Sequence, residues 1–279
     1  MAAMETSLEG AVVAITGGAQ GIGRATAEAM VGQGARVAIG DLDLEKATAA
    51  AGELGENAVG LHLDVADRDS FRQFLDSAES LLGPLDGLVN NAGVMIVGPA
   101  EEEDPAATAA MIAVNLTGVI NGTQLAIGLM KPRHRGRIIN IASQAGKAGL
   151  PGGATYCATK SAVIAYSEAV RGELKGSGVG IAWVLPGIVN TELAAGLPEI
   201  GLMDALEPSD IAAAVTKTMA EGGSEVWVPA VNQWLDAPVR LLPRRARERI
   251  LALTGADKVL AAADPVRRKD YEEQAADRT

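Results

Sequence analysis

The stretch YCATK, residues 156–160, combines two side chains capable of acid–base chemistry. Lys160 follows Tyr156 by four positions, so in a helix both side chains lie on one face. A phenol with its usual pKa near 10 is a poor base at neutral pH, but a nearby cation favours the phenolate and lowers that pKa. The pair is therefore a candidate proton donor and acceptor. The alternative is that both residues only cover a helix face with their apolar stems.

The other groups that commonly do such chemistry are poorly placed. His62 lies within a predicted strand, and His134 lies in the basic turn KPRHRG. The single cysteine, Cys157, has no partner for an intramolecular disulfide, and with two scattered histidines it does not make a zinc site. Cys157 lies about 100° around the helix from Tyr156, so we interpret it as a packing residue. We expect no bound metal.

A glycine-rich stretch, TGGAQGIG at residues 16–23, follows the first predicted strand and opens the first predicted helix. Gly17, Gly21 and Gly23 would permit a tight turn, close approach of a pyrophosphate and close packing of helix on sheet. The helix N-terminus would add N–H donors and partial positive charge. Glycines also serve simple turns, but the strand before and the helix after favour dinucleotide binding.

Asp41 ends the second predicted strand, where a dinucleotide-binding fold places an acid for the adenosine ribose hydroxyls. A carboxylate there would repel a 2′-phosphate, and no arginine or lysine directly follows it. The sequence therefore favours NAD over NADP. The alternative is that Asp41 only caps the helix that begins near Leu42.

Seven short β-branched runs predict strands, and the segments between them have helical periodicity. The runs are residues 11–16, 35–40, 58–63, 85–90, 136–142, 180–185 and 225–229. Alternating strands and helices with nearly continuous apolar strands predict an α/β fold, a doubly wound, Rossmann-like parallel sheet with helices on both faces. Ligands of such folds bind beyond the carboxyl ends of the strands.

We expect residues 1–230 to form a single dinucleotide-binding catalytic domain and residues 231–279 to form a C-terminal helical extension or tail. A long connection at residues 187–207 interrupts the alternation and is predicted to be an apolar lid over the ligand edge. The alternative is a surface helix pair packed on the body. The apolar residues of this connection are Leu193, Leu197, Ile200, Leu202, Met203 and Leu206.

The C-terminal region contains a basic amphipathic stretch at residues 238–260, in which arginines alternate with leucines. Three interpretations stay open: weak contact with an anionic membrane surface, a partner interface, or an ordinary packed helix with a solvated face. The last segment, RRKDYEEQAADRT at residues 267–279, is strongly polar and is expected to fray.

Composition argues against several classes of function. A net charge of -11 and 3% aromatic residues oppose binding to nucleic acid. The N-terminus lacks a basic stretch followed by an apolar core, and no segment offers about 18 uninterrupted apolar residues. We expect a cytoplasmic protein that acts on a small molecule.

Seven motifs together resemble the short-chain dehydrogenase/reductase family over about residues 8–230. They are TGGAQGIG at 16–23, DV at 64–65, NNAG at 90–93, Asn115 in AVNLTG, Ser143 in NIASQAG, YCATK at 156–160 and PGIVNT at 186–191. The resemblance implies an NAD-dependent oxidoreductase that interconverts an alcohol and its carbonyl. With the apolar lid, we expect an apolar substrate that is lipid-, retinoid- or steroid-like.

The resemblance also implies roles for individual residues. Tyr156 would be the acid/base, Lys160 would tune its pKa and bind ribose, Ser143 would bind the substrate oxygen, and Asn115 would join a proton relay through water. Taken alone, Ser143 could instead cap a helix, and Asn115 could mark a local bend or an exposed polar residue.

The implied cofactor contacts follow the same motifs. Asp64 and Val65 would flank the adenine, and Asn91 would lie along the cofactor. Val189 and Thr191 would hold the nicotinamide carboxamide. The full set of cofactor-binding residues would be Gly17, Gln20, Gly21, Ile22, Gly23, Asp41, Asp64, Val65, Asn91, Ala92, Gly93, Tyr156, Lys160, Pro186, Gly187, Val189 and Thr191.

Two further expectations concern assembly and a rival function. Tetrameric members of the family commonly carry a DGG-like segment after the last strand, whereas residues 225–243 read EVWVPAVNQWLDAPVRLLP. We therefore expect a homo-oligomer, such as a dimer. The rival hypothesis is a non-catalytic dinucleotide-binding regulator or scaffold. Degenerate members would have lost the tyrosine or the lysine, and this chain retains both.

Overall fold

The structure, a computed structural model, describes residues 8–198 and 205–276. Its core is one sheet of seven parallel strands in the order β3-β2-β1-β4-β5-β6-β7. The strands are β1 (Val12–Thr16), β2 (Arg36–Asp41), β3 (Ala58–His62), β4 (Gly87–Asn90), β5 (Gly136–Ile141), β6 (Val179–Pro186) and β7 (Glu225–Val228). All seven predicted strands and the doubly wound fold are confirmed. The strand order reverses between β1 and β4, which is the switch point where ligands of such sheets bind.

Helices cover both faces of the sheet. One face packs against α1 (Gly21–Val31), α2 (Leu44–Leu54) and α7 (Pro208–Glu221). The other packs against α3 (Arg68–Leu82), α4 (Pro105–Ile112), α5 (Gly118–Met130) and α6 (Ala154–Glu173). Successive strand residues serve opposite faces, since Val13 and Ile15 join the first core and Val12 and Ala14 the second.

Helices α4 and α5 run on from one another through a π-helical turn at Ala113–Thr117. The combined stretch Pro105–Arg133 is long and apolar enough to cross a membrane by length and composition, and 56% of its most apolar window is buried inside the fold. A core helix of a soluble protein meets the same criterion. We therefore interpret it as a helix that covers the sheet.

The lid, residues 187–207, contains a short 3-10 helix at Glu192–Ala194. It returns to α7 through a parallel bridge between Val189 and Leu206. Leu193 and Leu197 pack against the second core. The other predicted apolar positions, Ile200, Leu202 and Met203, lie outside the described residues, so the lid function stays a prediction.

A helical extension follows β7, as predicted. It consists of α8 (Val231–Arg240), α9 (Arg244–Thr254), a 3-10 turn at Ala256–Lys258 and α10 (Pro265–Ala276). The expectation that the last segment frays is wrong for residues 267–276, because they belong to α10 and bury Arg268 and Ala275 against the body. The partners of Arg268 are mainly backbone carbonyl groups, which leave no hydrophobic pattern in the sequence.

Candidate active site

An open cleft of about 2060 Å³ lies beyond the carboxyl ends of the strands. Two predicted site residues, Gly23 and Asn115, are not among the residues that line it and lie behind its wall. The predicted residues that do line it are Gly17, Gln20, Gly21, Ile22, Asp41, Asp64, Val65, Asn91, Ala92, Gly93, Ser143, Tyr156, Lys160, Pro186, Gly187, Val189 and Thr191. The structure therefore brings the predicted set together at one site.

The glycine-rich turn between β1 and α1 has the geometry of an anion site. Gly17 has a φ of 60°, and a Cβ atom on Gly23 would lie 2.3 Å from the Gly17 carbonyl oxygen, so both positions require glycine. Among the described residues, no side chain caps the N-terminus of α1. By contrast, aspartates cap α2, α3 and α4. The free N–H groups of α1 fit a pyrophosphate.

A side-chain contact spans the cleft above this turn. The Gln20 amide donates a 2.9 Å hydrogen bond to the Glu192 carboxylate. Gln20 precedes α1, and Glu192 begins the 3-10 helix of the lid. The lid and the phosphate-binding turn are thus connected across the cleft.

Asp41 lies at the carboxyl end of β2 and does not cap a helix. Its carboxylate accepts hydrogen bonds from the backbone N–H groups of Ala19 (3.2 Å) and Asp43 (3.3 Å). Helix α2 begins at Leu44 and is capped by Asp43. The alternative of Asp41 as a cap is therefore wrong, and its carboxylate is held at the edge of the cleft.

Asn91 fastens the end of β4 to the phosphate-binding turn. Its amide donates 2.9 Å hydrogen bonds to the carbonyl oxygens of Thr16 and Gly17. The Thr16 hydroxyl accepts hydrogen bonds from the backbone N–H groups of Asn91 and Ala92, both at 3.0 Å. Sequence reasoning missed Thr16. Its signal, a hydroxyl residue at the end of a strand before a glycine turn, is weak by itself.

Asp64 and Val65 lie side by side where the chain leaves β3. The Asp64 carboxylate accepts a 2.9 Å hydrogen bond from the Ala66 N–H group. The Val65 carbonyl oxygen accepts a 3.1 Å hydrogen bond from the Asn121 amide. These contacts hold a polar and an apolar side chain at the same end of the cleft as Asp41.

Tyr156 and Lys160 share the inner face of α6, as their spacing predicted. Both are buried, and the Lys160 ammonium nitrogen lies 5.8 Å from the centre of the Tyr156 ring. That nitrogen donates a 2.9 Å hydrogen bond to the carbonyl oxygen of Ile141. Burial lowers the pKa of Lys160 to about 8.

The pKa of the Tyr156 phenol is raised, which is opposite to the predicted lowering. Burial is the main cause, a hydrogen bond with Ser143 offsets part of the rise, and Tyr271 adds to it. The physical reason is that desolvation dominates and that the Lys160 ammonium group points to Ile141. In this state the phenol therefore keeps its proton.

Ser143 follows β5 and has two roles in the structure. Its hydroxyl oxygen accepts a 3.1 Å hydrogen bond from the Ala145 N–H group and so caps the 3-10 helix Gln144–Gly146. It also hydrogen-bonds Tyr156. The capping alternative is thus confirmed, and the same hydroxyl group also contacts Tyr156.

Asn115 lies in the π-helical turn and is fully buried. Its side chain pairs with the backbone of Val94, accepting from the N–H group and donating to the carbonyl oxygen, both at 2.8 Å. The alternative of an exposed polar residue is therefore wrong. A Cβ atom on Gly93 would lie 3.2 Å from the Asn115 amide oxygen and 3.5 Å from the Lys160 ammonium nitrogen, so Asn115 lies just behind the cleft wall. π-helical turns often occur at functional sites.

The PGIVNT segment forms the opposite wall. Gly187 donates a 2.9 Å hydrogen bond to the Val228 carbonyl oxygen, and the Thr191 hydroxyl donates one of 3.3 Å to Val189. Gln144, which sequence reasoning missed, also donates to the Val228 carbonyl oxygen at 2.9 Å and accepts from Asn232 of α8. No local motif indicates Gln144, because its partners are distant in sequence.

The cleft also receives a residue from α10 that the sequence analysis did not select. Tyr271 lines it together with Tyr156, and the Tyr271 hydroxyl oxygen accepts a 3.1 Å hydrogen bond from the Met95 N–H group. Cys157, in contrast, is buried in the core as predicted, and burial raises its pKa. Within residues 8–198 and 205–276, no group of three or more His, Cys, Asp or Glu side chains could hold a metal ion.

The family model for short chain dehydrogenases matches residues 11–199. The chain belongs to the short-chain dehydrogenase/reductase family. It is 39% identical over 191 residues to 2-(S)-hydroxypropyl-CoM dehydrogenase 3 of Xanthobacter autotrophicus, a match that covers 67% of this chain and 75% of the relative. It is 38% identical over 196 residues to a 3-alpha-(or 20-beta)-hydroxysteroid dehydrogenase of Mycobacterium tuberculosis, a match that covers 70% of this chain and 75% of the relative.

Solved structures of the family agree with this assignment. A short-chain dehydrogenase/reductase from Burkholderia phymatum in complex with NAD has a TM-score of 0.77 and 25% identity, covering 83% of this chain and 93% of that one. A 3-ketoacyl-(acyl-carrier-protein) reductase from Brucella melitensis with NADH has a TM-score of 0.73 and 29% identity, covering 80% and 98%. As a member of this family, the protein is an oxidoreductase that acts on CH–OH groups. The family match ends at residue 199, so α8, α9 and α10 lie outside it.

Proposed function

We propose that the protein is an NAD-dependent oxidoreductase that interconverts an apolar alcohol and its carbonyl, with Tyr156 as the acid/base. The observation that carries this proposal is the meeting of Ser143, Tyr156 and Lys160 in the cleft that also contains the uncapped N-terminus of α1. A non-catalytic regulator would need the phosphate-binding turn but not the three polar side chains opposite it.

The residues divide the work between binding and proton transfer. The N–H groups of α1 would hold the pyrophosphate, and the Asp41 carboxylate would accept hydrogen bonds from the adenosine ribose. Hydride transfer to or from the substrate carbon would be the chemistry that a nicotinamide dinucleotide supplies there. Ser143 hydrogen-bonds the substrate oxygen, and the Tyr156 hydroxyl exchanges the proton with it.

The raised pKa of Tyr156 bears on how each direction of the reaction depends on pH. A protonated phenol can donate its proton to a carbonyl oxygen, which is the proton transfer that reduction requires. Oxidation requires the phenolate, which the Lys160 cation and a higher pH favour. Alcohol oxidation is therefore expected to speed up as the pH rises.

The choice of NAD over NADP rests on Asp41 and its surroundings. The nearest basic side chains on the cleft wall are already paired with carboxylates: Lys46 lies 3.7 Å from Asp43, and Arg24 lies 2.8 Å from Glu53. A 2′-phosphate beside Asp41 would meet an unshielded like charge. We expect kcat/KM to be at least about tenfold higher with NAD than with NADP.

An apolar substrate is supported by the side chains near Tyr156. They come from the lid, from the segment after β4, from the segment before α6 and from the extension. The apolar residues among them are Met95, Leu150, Leu193, Leu197, Leu206, Val259 and Leu260. A hydroxysteroid dehydrogenase among the relatives is consistent with a lipid-, retinoid- or steroid-like substrate.

The function is tested with a panel of alcohols and ketones, followed through NADH absorbance with NAD and with NADP. The panel contains 2-propanol, 2-octanol, cyclohexanol and a 3-hydroxysteroid. We expect turnover of the bulkier apolar members and a loss of about a thousandfold in kcat for Tyr156→Phe. NADH binding, measured by fluorescence, stays within about twofold. Tyr166→Phe, on the same helix but outside the lining of the cleft, is the control; turnover retained by Tyr156→Phe contradicts the proposal.

We also propose a weak contact between the extension and anionic membrane surfaces. Trp234 of α8, Leu253 of α9 and Leu241 between the two helices are exposed. Four exposed arginines of α9 lie near them: Arg244, Arg245, Arg247 and Arg249. An exposed tryptophan beside a local cluster of exposed arginines suits an interface with anionic lipid headgroups. Cosedimentation with phosphatidylglycerol vesicles but not with phosphatidylcholine vesicles, weakened by Trp234→Ala, is the expected result. Equal binding to both, or none, contradicts it.

Assembly and location complete the proposal. We propose a cytoplasmic homo-oligomer. The single cysteine of the chain supports the location, and the large exposed apolar side chains of α8 support the assembly. Light scattering is expected to give a mass above that of one chain, and a monomer mass contradicts the assembly. No partnership with nucleic acid is proposed, because the net charge repels phosphate backbones.

A further inference from the structure

Arg268 of α10 is 1% exposed, and its guanidinium group joins two separate walls of the cleft. The first wall, residues 93–97 after β4, accepts a 2.7 Å hydrogen bond at the Met95 carbonyl oxygen. The second wall, residues 192–197 of the lid, accepts hydrogen bonds at the carbonyl oxygens of Leu193 (3.1 Å) and Ala195 (2.8 Å). The remaining nitrogen, Nε, donates a 2.6 Å hydrogen bond to Glu272. The guanidinium group is planar and its donors have fixed directions, so it sets the distance between the two walls.

The neighbours of Arg268 on α10 hold the first wall in the same way. The Tyr271 hydroxyl oxygen accepts from the Met95 N–H group at 3.1 Å, and the Glu272 carboxylate accepts from the Val97 N–H group at 3.3 Å. The Arg268 guanidinium carbon lies 5.5 Å from the centre of the Tyr271 ring. The ring is therefore fixed at one end by its hydroxyl group and at the side by a cation.

The start of the catalytic helix is shaped to receive the extension. A Cβ atom on Gly153, the residue before α6, would lie 2.3 Å from a methyl carbon of Leu260, and one on Gly152 would lie 2.7 Å from the Ala261 backbone. Just before α10, the Asp264 N–H group donates a 2.8 Å hydrogen bond to the Gly196 carbonyl oxygen. The extension therefore packs on α6 and on the lid together, a few residues from Tyr156.

We propose that α10 completes the substrate compartment, with Tyr271 as a specificity-determining side chain of its wall and Arg268 as a positioning residue that holds the lid against residues 93–97. The substrate part rests on the proposed oxidoreductase function. Tyr271 lines the cleft beside Tyr156, so a bulky apolar alcohol that reaches Tyr156 contacts the Tyr271 ring. Small alcohols reach Tyr156 without that contact.

A purely structural explanation of Arg268 is less economical. Burying a guanidinium group requires that its donors be paired, and apolar replacements of buried ions are often equally stable. Here the paired donors reach carbonyl groups on two walls of one cleft. The neighbouring Arg267 on the same helix is exposed, which provides a matched control for charge, helix position and residue type.

The positioning role is tested without any substrate, by hydrogen exchange followed by mass spectrometry on the full chain. Arg268→Met is compared with Arg267→Met. We expect peptides that cover residues 93–97 and 192–198 to exchange about tenfold faster in Arg268→Met alone, while peptides from β1 and β5 stay unchanged. Arg268→Lys keeps the charge but lacks the planar guanidinium donors. We expect it to accelerate hydrogen exchange less than Arg268→Met does. Equal exchange in Arg268→Met and Arg267→Met overturns the positioning role.

The specificity role is tested with 2-propanol and a 3-hydroxysteroid as probes. We expect Tyr271→Ala to lower the ratio of kcat/KM for the steroid over 2-propanol by about tenfold, mainly through the KM of the steroid, with NADH binding within about twofold. Tyr271→Phe, which keeps the ring, is expected to retain most of that ratio. A ratio unchanged in Tyr271→Ala overturns the specificity role. If the wild-type enzyme oxidises no alcohol and reduces no ketone, the proposed function fails, and the hydrogen-exchange comparison still decides the role of Arg268.

Discussion

The ammonium nitrogen of Lys160 lies 5.8 Å from the centre of the Tyr156 ring, and both side chains are buried. Burial acts on the two groups in opposite directions, because it raises the pKa of the phenol and lowers the pKa of the ammonium group. In each case the neutral form gains. Burial therefore disfavours the phenolate–ammonium pair that oxidation of an alcohol requires.

The lowered pKa of Lys160 predicts a pH-dependent stability in the cofactor-free protein. The unfolded lysine keeps its proton up to about pH 10.5, whereas the folded one loses it near pH 8. Between these values the unfolded state binds more protons, so the free energy of unfolding rises with pH. Relative to Lys160→Met, we expect a gain for the wild type on the order of 2–3 kcal/mol between about pH 7.5 and pH 10 in urea titrations.

Exposed Lys175 supplies the control for this experiment. Lys175→Met is expected to follow the wild-type curve at every pH, because the Lys175 side chain is in contact with water in the folded and the unfolded state alike. If the free energy of unfolding of Lys160→Met rises with pH as steeply as that of the wild type, Lys160 keeps its proton on folding. The argument from burial is then wrong.

Much of the fold and the central part of the site follow from local sequence. The strands are β-branched runs of strand length, and the spacing of Tyr156 and Lys160 alone places both on one helix face. The glycines at 17 and 23 indicate a turn that no larger side chain fits. These signals are readable because each depends on residues that are close together in the chain.

The parts that sequence reasoning missed depend on contacts between distant residues. Arg268 meets Met95 and Leu193, and its partners are backbone carbonyl groups that any residue type would supply. The polar composition of residues 267–276 therefore resembles that of a solvated tail, although the segment belongs to α10 and buries Arg268 and Ala275. The direction of the Tyr156 pKa shift was likewise missed, because burial is a property of the packed molecule.

Two glycine substitutions, one at the phosphate-binding turn and one inside α2, are expected to affect NADH binding differently. In Gly23→Ala the new Cβ atom would lie 2.3 Å from the Gly17 carbonyl oxygen and 2.6 Å from the Asn91 amide nitrogen. The turn must shift, so we expect NADH affinity to fall at least about tenfold in a fluorescence titration.

A Cβ atom on Gly52, inside α2, would meet nothing within 4 Å, so Gly52→Ala is expected to leave NADH binding intact and to stabilise the protein by about 0.5–1 kcal/mol. Normal NADH affinity in Gly23→Ala contradicts the tight packing of α1 on the turn.

Asn115 predicts a loss of stability as well as of turnover. Its side chain satisfies both the N–H group and the carbonyl oxygen of Val94 at 2.8 Å, and it is fully buried. Asn115→Leu leaves two buried backbone groups unpaired, which we expect to lower the free energy of unfolding by about 2–5 kcal/mol in urea titrations. Exposed Asn57 is the control. Asn57→Leu is expected to change the free energy of unfolding by less than about 0.5 kcal/mol. Because Val94 lies beside Gly93 on the cleft wall, kcat is expected to fall together with stability. An Asn115→Leu variant as stable as the wild type contradicts the stabilising role of the two hydrogen bonds with Val94.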